Sequence, residues 1–137
     1  MVSANPRDLI VGTKALISVV VTTFNRERLL LETLASIRSQ DWELTEIIVV
    51  DNFSTDGTGA AVAGLGDSRI KYFRNHNGGC IAVNRNFGIS MAGGDYIAFC
   101  DDDDLWLPGK LTAQARILES NPGVGIVGTN RLLFDGP

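Results

Sequence analysis

The sequence predicts an α/β fold in which a mainly parallel sheet is sandwiched by helices. Residues 16–22 and 47–50 are branched apolar runs without polar alternation, typical of strands covered on both faces. Segments with apolar residues at helical spacing separate these runs, and such alternation of strands and helices indicates a right-handed parallel sheet. With 45% hydrophobic and 20% charged residues, the 137 residues can form one domain with a substantial core.

Residues 16–22 form the predicted first strand. A helix follows, for which Asn25 offers an N-cap and Leu30, Leu34 and Ile37 form one apolar face. The helical pattern ends near residue 40.

Residues 47–50 form the second predicted strand, which is as apolar as the first. The following stretch, residues 53–58, has turn and cap residues, and a short Ala- and Gly-rich helix is expected at about residues 58–65. Residues 70–73 form the third predicted strand.

A third helix is predicted because Val83, Phe87 and Met91 recur on one face before the helix ends at Gly93. Residues 96–100 then form the fourth strand.

Pro108 suits the first turn of a last helix, in which Leu111, Ala115 and Leu118 share a face. Residues 124–128 are predicted to be a short fifth strand. The N-terminal residues 1–14 have no pattern of this kind and are interpreted as a leader to a domain of residues 15–137.

Polar side chains follow three of the predicted strands. Since parallel strands end at the same edge of a sheet, where α/β proteins bind ligands, these side chains are expected to converge on one crevice. The candidate residues are Thr22, Phe24, Asn25 and Arg26 after the first strand, Asp51 and Asn52 after the second, and Asp101, Asp102, Asp103 and Asp104 after the fourth.

The four consecutive aspartates are the most informative of these residues. Adjacent carboxylates repel each other and favour a cation among them, and hard oxygen ligands suit Mg²⁺ or Mn²⁺. Arg26 and Arg85 could meet phosphate groups, Asn52 a nucleobase edge, and Phe24 its face. The alternative interpretations are a solvated acidic turn, solvated arginines, a helix cap and simple aromatic packing.

Charge and hydropathy exclude other classes of function. A net charge of −4 and a pI near 4.8 argue against nucleic-acid binding, because no basic stripe is present. No stretch reaches the roughly 20 apolar residues of a membrane span. We predict a cytoplasmic protein, with the inner face of a membrane as a second possible location.

Four motifs together resemble glycosyltransferase family 2. They are SVVVTTFNR at residues 18–26, EIIVVDNFSTDGT at 46–58, NRN at 84–86 and GDYIAFCDDDD at 94–104, in the order and spacing of that family. The resemblance extends over about residues 15–136.

The resemblance implies a GT-A fold, a nucleotide-diphosphate-sugar donor, a divalent metal (Mn²⁺ or Mg²⁺) and transfer with inversion. It also implies residue roles. The nucleoside is expected at Thr22, Phe24 and Asn52, with Asp51 adjacent, while Asp101 and Asp102 lie near the ribose and diphosphate and Asp103 holds the metal.

The chain departs from the family pattern in two ways. Asn52 replaces a second aspartate, which leaves a uridine or a thymidine nucleotide as the expected donor. The family's general base comes from a later segment, and only Asp135 follows Asn130 among the acidic residues. We therefore expect a donor-binding part that ends before the acceptor half, has no assigned catalytic residue and is inactive alone.

Several alternatives remain at this stage. The chain could be a non-catalytic nucleotide-sugar-binding or regulatory module, or, with less support, a nucleotidyltransferase. The acceptor could be a glycan, a lipid or a protein. An apolar surface near residues 124–134 and a free sheet edge would favour a homodimer.

Overall fold

The computed structural model describes residues 14–133, in which four strands alternate with four helices. The predicted leader therefore lies outside the described residues, apart from Lys14. In chain order the elements are β1 (Ile17–Thr23), α1 (Glu27–Arg38), β2 (Thr45–Asp51), α2 (Thr58–Gly64), β3 (Ile70–Arg74), α3 (Ile81–Met91), β4 (Tyr96–Asp101) and α4 (Lys110–Ser120).

The four strands form one parallel sheet in the order β3-β2-β1-β4. Thr22 of β1 lies in register with Val50 of β2 on one side and Asp101 of β4 on the other. The carboxyl ends of β1, β2 and β4 therefore lie side by side at one edge, and the predicted fold class is confirmed.

Alternate residues of the central strands face opposite layers of helices. Val19 and Ile47 belong to a large cluster with apolar residues of α1, α2 and α4, whereas Val20 and Ile48 pack towards α3. Each fully buried aliphatic side chain of this kind stabilises the fold by about 1.5–3 kcal/mol. The core therefore fixes the strands whose ends carry the polar residues.

Helix α3 packs against the sheet through a close backbone approach. A Cβ atom at Gly88 would overlap the side chain of Val20 in β1, so glycine is required for this packing distance. The buried residues of α3 are Asn84 and Gly88.

The predicted apolar face of α3 is wrong for two of its three residues. Val83 and Met91 are exposed, and only Phe87 packs inward, where its ring meets Phe73 edge-on with ring centroids 5.8 Å apart. The reason is the close approach at Gly88. The helix face that contains this glycine, rather than the face with Val83 and Met91, is turned towards β1 and β2.

The predicted strand at residues 124–128 is also wrong. The structure has no strand there, and Ile126 is 90% exposed. Glycines at 123, 125 and 128 weaken a strand, and no sheet strand within residues 14–133 pairs with the segment.

Among the described residues, no helix is both long enough and apolar enough to span a bilayer.

Candidate functional site

The carboxylate of Asp51, at the end of β2, is fully buried. It accepts hydrogen bonds from the backbone N–H of Ser54 at 3.0 Å, from the Ser54 hydroxyl and from the Tyr72 hydroxyl, and Arg74 Nε lies 3.7 Å away. Burial raises the pKa of Tyr72, as does its hydrogen bond to Asp51, so the phenol stays a donor. The Asp51 charge is therefore compensated inside the fold.

A hydrogen-bond bridge joins the end of β1 to the loop after β2. The backbone N–H of Asn25 donates to Ser54 Oγ at 2.8 Å, and Asn25 Oδ1 accepts from the backbone N–H of Thr55 at 2.7 Å. The predicted cap role of Asn25 on α1 is wrong. Instead, Asp56 Oδ2 accepts from the backbone N–H of Glu27 at 3.2 Å, in the first turn of α1.

The aspartates after β4 are held by residues after β1. Asp102 is buried, and it accepts from Thr23 Oγ1 at 2.8 Å and from Arg26 Nη1 at 3.1 Å. The same Arg26 nitrogen lies 2.8 Å from Asp103, whose side chain is 48% exposed. Asp102, then Asp103, raise the pKa of Arg26 by direct charge attraction. Arg26 therefore acts as the internal counter-charge of these two carboxylates.

Asp101 and Asp104 complete the acidic loop. Asp101 Oδ1 accepts from Arg85 Nη2 of α3 at 2.6 Å, and both side chains are partly exposed. Burial, reinforced by the charges of Asp101 and Asp103, raises the pKa of Asp104. The loop thus has more negative charge than its arginines balance.

Whether these residues suit a divalent cation depends on the kind of site. In residues 14–133, no three His, Cys, Asp or Glu side chains converge as a metal-binding group, so a cage made of protein ligands alone is absent. Mg²⁺ commonly takes one or two carboxylates and completes its shell with phosphates and water. Asp103, half-exposed and contacting Arg26, fits that type of site.

The remaining predicted residues line the same edge. Asn52 Oδ1 accepts from the backbone N–H of Asn77 at 3.0 Å, which ties the loop after β3 to the end of β2. The Phe24 ring is half exposed, whereas Thr22 is buried between β2 and β4. The structure therefore brings the predicted residues of all three strand ends, together with Arg85 of α3, to one side of the sheet.

Four residues that hold the aspartates in place were not among the site residues predicted from the sequence. Thr23 holds Asp102, and Ser54, Tyr72 and Arg74 surround Asp51. A signal existed for three of them. Ser54 follows Asp51 at the spacing of a side-chain turn, and Tyr72 and Arg74 alternate along β3 with the period of a strand face.

The comparisons with known proteins agree with this architecture. A sequence model of the family described as Glycosyl transferase family 2 matches residues 18–136. One curated relative is the GalNAc(5)-diNAcBac-PP-undecaprenol beta-1,3-glucosyltransferase of Campylobacter jejuni, which is 40% identical over 124 residues. That match covers 85% of this chain and 38% of the relative, so the chain spans well under half of the length of the enzyme it matches.

Two solved structures show the same fold. Staphylococcus aureus TarS 1-349, in complex with UDP-GlcNAc, has a TM-score of 0.73 and 28% identity over 85% of this chain and 37% of its own. The mannosyltransferase PcManGT of Pyrobaculum calidifontis, in complex with GDP-Man and Mn²⁺, has a TM-score of 0.70 and 28% identity over 77% of this chain and 33% of its own. The fold is GT-A, and the chain belongs to glycosyltransferase family 2.

Proposed function

We propose that this chain binds a nucleotide-diphosphate sugar at the edge formed by β1, β2 and β4, as the donor-binding part of an inverting glycosyltransferase. One observation carries the proposal. Asp102 is fixed in a buried position by Thr23 and Arg26, and this leaves Asp103 half-exposed on the same edge as Asn52.

The proposed residue roles are those that the resemblance to the family implies for the residues at the three strand ends. Thr22, Phe24 and Asn52 hold the nucleoside of a UDP or dTDP donor, while Asp101 and Asp102 face the ribose and diphosphate. The solved relatives support a donor of this class, because one is a complex with UDP-GlcNAc and another with GDP-Man and Mn²⁺.

Asp103 and two arginines compensate the charges of the metal and the diphosphate in this proposal. Asp103 would hold Mn²⁺ or Mg²⁺, and a bound divalent cation supplies neutralisation of the leaving diphosphate. Arg26 and Arg85 orient the carboxylates and can turn to the phosphates, to which guanidinium groups bind in a bidentate manner.

Asp51 acts as a positioning residue in this proposal, since its carboxylate already accepts hydrogen bonds from Ser54 and Tyr72.

The acceptor is proposed to be a glycan on a polyprenol diphosphate, met at the inner face of a cytoplasmic membrane. The support is the name of the Campylobacter relative, which describes such an acceptor. No residue among the described ones is proposed as the general base.

Calorimetric titration of the chain tests donor binding. UDP-glucose, UDP-GlcNAc, dTDP-glucose and GDP-mannose would each be titrated with and without Mn²⁺, and we expect at least one to bind in an Mn²⁺-dependent way. Asp103→Asn should weaken that binding at least about tenfold, because a metal-bridging carboxylate is lost. Glu119→Gln, which neutralises an exposed carboxylate of α4, is the control. Binding of none of the four donors, or binding independent of Mn²⁺, would contradict the proposal.

A further inference from the structure

Phe53 has a backbone conformation that is unusual for a bulky residue. Its φ angle is 60°, in the left-handed region that glycine adopts without steric cost. An aromatic residue persists in this region only when the surrounding structure holds it there.

Core packing does not explain why a phenylalanine occupies this position. The Phe53 side chain is 46% exposed, and it belongs to neither hydrophobic cluster formed by residues 14–133. The backbone of Phe53 is therefore strained, and the ring does not offset this strain with the hydrophobic stabilisation of a buried side chain.

The ring is nevertheless held in a defined place. The guanidinium carbon of Arg74 lies 4.7 Å from the Phe53 ring centroid, and the His76 ring lies 6.4 Å away at an interplanar angle of 57°. Arg74 is itself fixed, because Nη2 donates to Ser54 O at 3.0 Å and Nε lies 3.7 Å from Asp51. Arg74 thus supports the Phe53 ring while nearly half of the side chain remains open.

Phe53 also lies beside the proposed nucleoside site. It directly follows Asn52, which is tied through its Oδ1 to the backbone N–H of Asn77. A flat, partly exposed aromatic ring at this position is suited to stacking against another flat ring.

We propose that Phe53, supported by Arg74, is a stacking wall for the nucleobase of the donor and contributes to nucleotide affinity. The inference rests on the proposed function, since it assumes that a nucleotide occupies the strand-end edge. Phe53→Gly removes the ring and is compatible with the φ of 60°, so ring loss can be separated from misfolding.

The experiment measures UDP and pyrophosphate binding to the wild type, Phe53→Gly and Phe53→Trp by calorimetry with Mn²⁺, together with Tm. We expect Phe53→Gly to bind UDP about tenfold more weakly, pyrophosphate binding to be unchanged, and Tm to be equal or higher. Phe53→Trp, which keeps an aromatic face, should bind UDP as the wild type does.

The outcomes distinguish the inference from the proposed function. If the wild type binds UDP and Phe53→Gly binds it equally well, the stacking wall is wrong and the proposed function stands. Equal losses for UDP and pyrophosphate would also overturn the wall, because they would indicate a general disturbance of the site. If the wild type does not bind UDP, the same measurements are made with dTDP, and a wild type that binds neither nucleotide with Mn²⁺ would overturn both.

Discussion

Carboxylates that look equivalent in the sequence have different roles at the scale of single residues. Asp51 is buried and saturated with donors, Asp102 is buried and held by Thr23 and Arg26, and Asp103 remains half-exposed. The difference arises from the neighbours that the folded sheet supplies. In the proposed function, Asp51 therefore positions the loop after β2, and Asp103 is the carboxylate left free to contact a ligand.

Asp51→Asn tests that assignment. An asparagine amide has one acceptor oxygen, so it cannot accept every hydrogen bond that Ser54 and Tyr72 donate to the two oxygens of Asp51. We therefore expect the free energy of unfolding to fall by about 2–3 kcal/mol in urea titrations. Tyr72→Phe, which removes one donor, should cost about 1 kcal/mol. Undiminished stability of Asp51→Asn combined with lost UDP binding would instead mean that Asp51 contacts the nucleotide.

Arg26→Ala tests the role of the internal counter-charge. Without the guanidinium, no cationic side chain of residues 14–133 pairs with Asp102 or Asp103. Mn²⁺ should therefore bind to the nucleotide-free chain several-fold more tightly, as measured by electron paramagnetic resonance of free Mn²⁺. Arg28→Ala is the matched control, because Arg28 pairs with Glu32 on the surface of α1. Equal Mn²⁺ affinity in the wild type and Arg26→Ala would refute the role.

At the scale of elements, a polar junction fixes the end of the sheet opposite the site. Glu46 of β2 accepts from Ser18 of β1, from Lys71 of β3 and from the backbone N–H of Gly93 after α3. Burial raises the pKa of Glu46, but the hydrogen bonds from Lys71, Ser18 and Gly93 outweigh it and lower the pKa to about 2. One carboxylate thus joins three strands and the segment before β4.

This junction predicts a pH dependence of stability. The folded pKa lies below the ordinary value of 4.5, so the contribution is fully present above about pH 4.5 and is lost as the pH falls towards 2. The loss attributable to Glu46 should be roughly 3 kcal/mol, since one pKa unit corresponds to about 1.4 kcal/mol. Urea titrations from pH 6 to pH 2 should show a shallower decline for Glu46→Gln than for the wild type. A Glu46→Gln slope as steep as that of the wild type would refute the junction's role.

The packing of helix α3 against β1 gives a second prediction about a single element. Gly88→Ala should lower the free energy of unfolding by about 1–3 kcal/mol, because the new methyl group would overlap Val20. Gly64→Ala in α2 is the control, since a Cβ there meets no atom within 4 Å, and it should be neutral or slightly stabilising. A neutral Gly88→Ala would show that α3 can move away from β1.

At the scale of the whole molecule, the parts that could be predicted from sequence are those governed by local pattern. The runs at residues 16–22 and 47–50 have no alternation because helices cover both faces, and they mark β1 and β2 to within two residues. The positions of the site residues follow from the same pattern. Asp51 and Asp101 end strands, and parallel strands end together.

What escaped prediction depends on partners distant in the chain. The apolar run at 124–128 looks like a strand, but periodicity cannot supply the neighbouring strand that it needs. The inward face of α3 is set by Gly88, which has no hydrophobic signal. Likewise, only the folded sheet shows that Asp51 accepts a hydrogen bond from Tyr72 and that Asp103 forms an ion pair with Arg26.

Self-association is expected of the isolated 137-residue chain. Leu132 and Leu133 are exposed, and β4 pairs only with β1 among the described strands, which leaves backbone groups of an edge strand available. Sedimentation velocity over a hundredfold range of concentration should therefore show a shift from monomer to dimer. A single monomeric species throughout that range would contradict this expectation.

The position of β4 as an edge strand within residues 14–133 would link the proposed donor binding to local order. Edge strands open more readily than central ones, and their amides exchange with solvent through these local openings. Because β4 ends at Asp101 and leads directly into the acidic loop, any ligand that engages the loop also restrains the strand. Amide exchange along β4 would then report donor occupancy from within the sheet, without the need to follow sugar transfer.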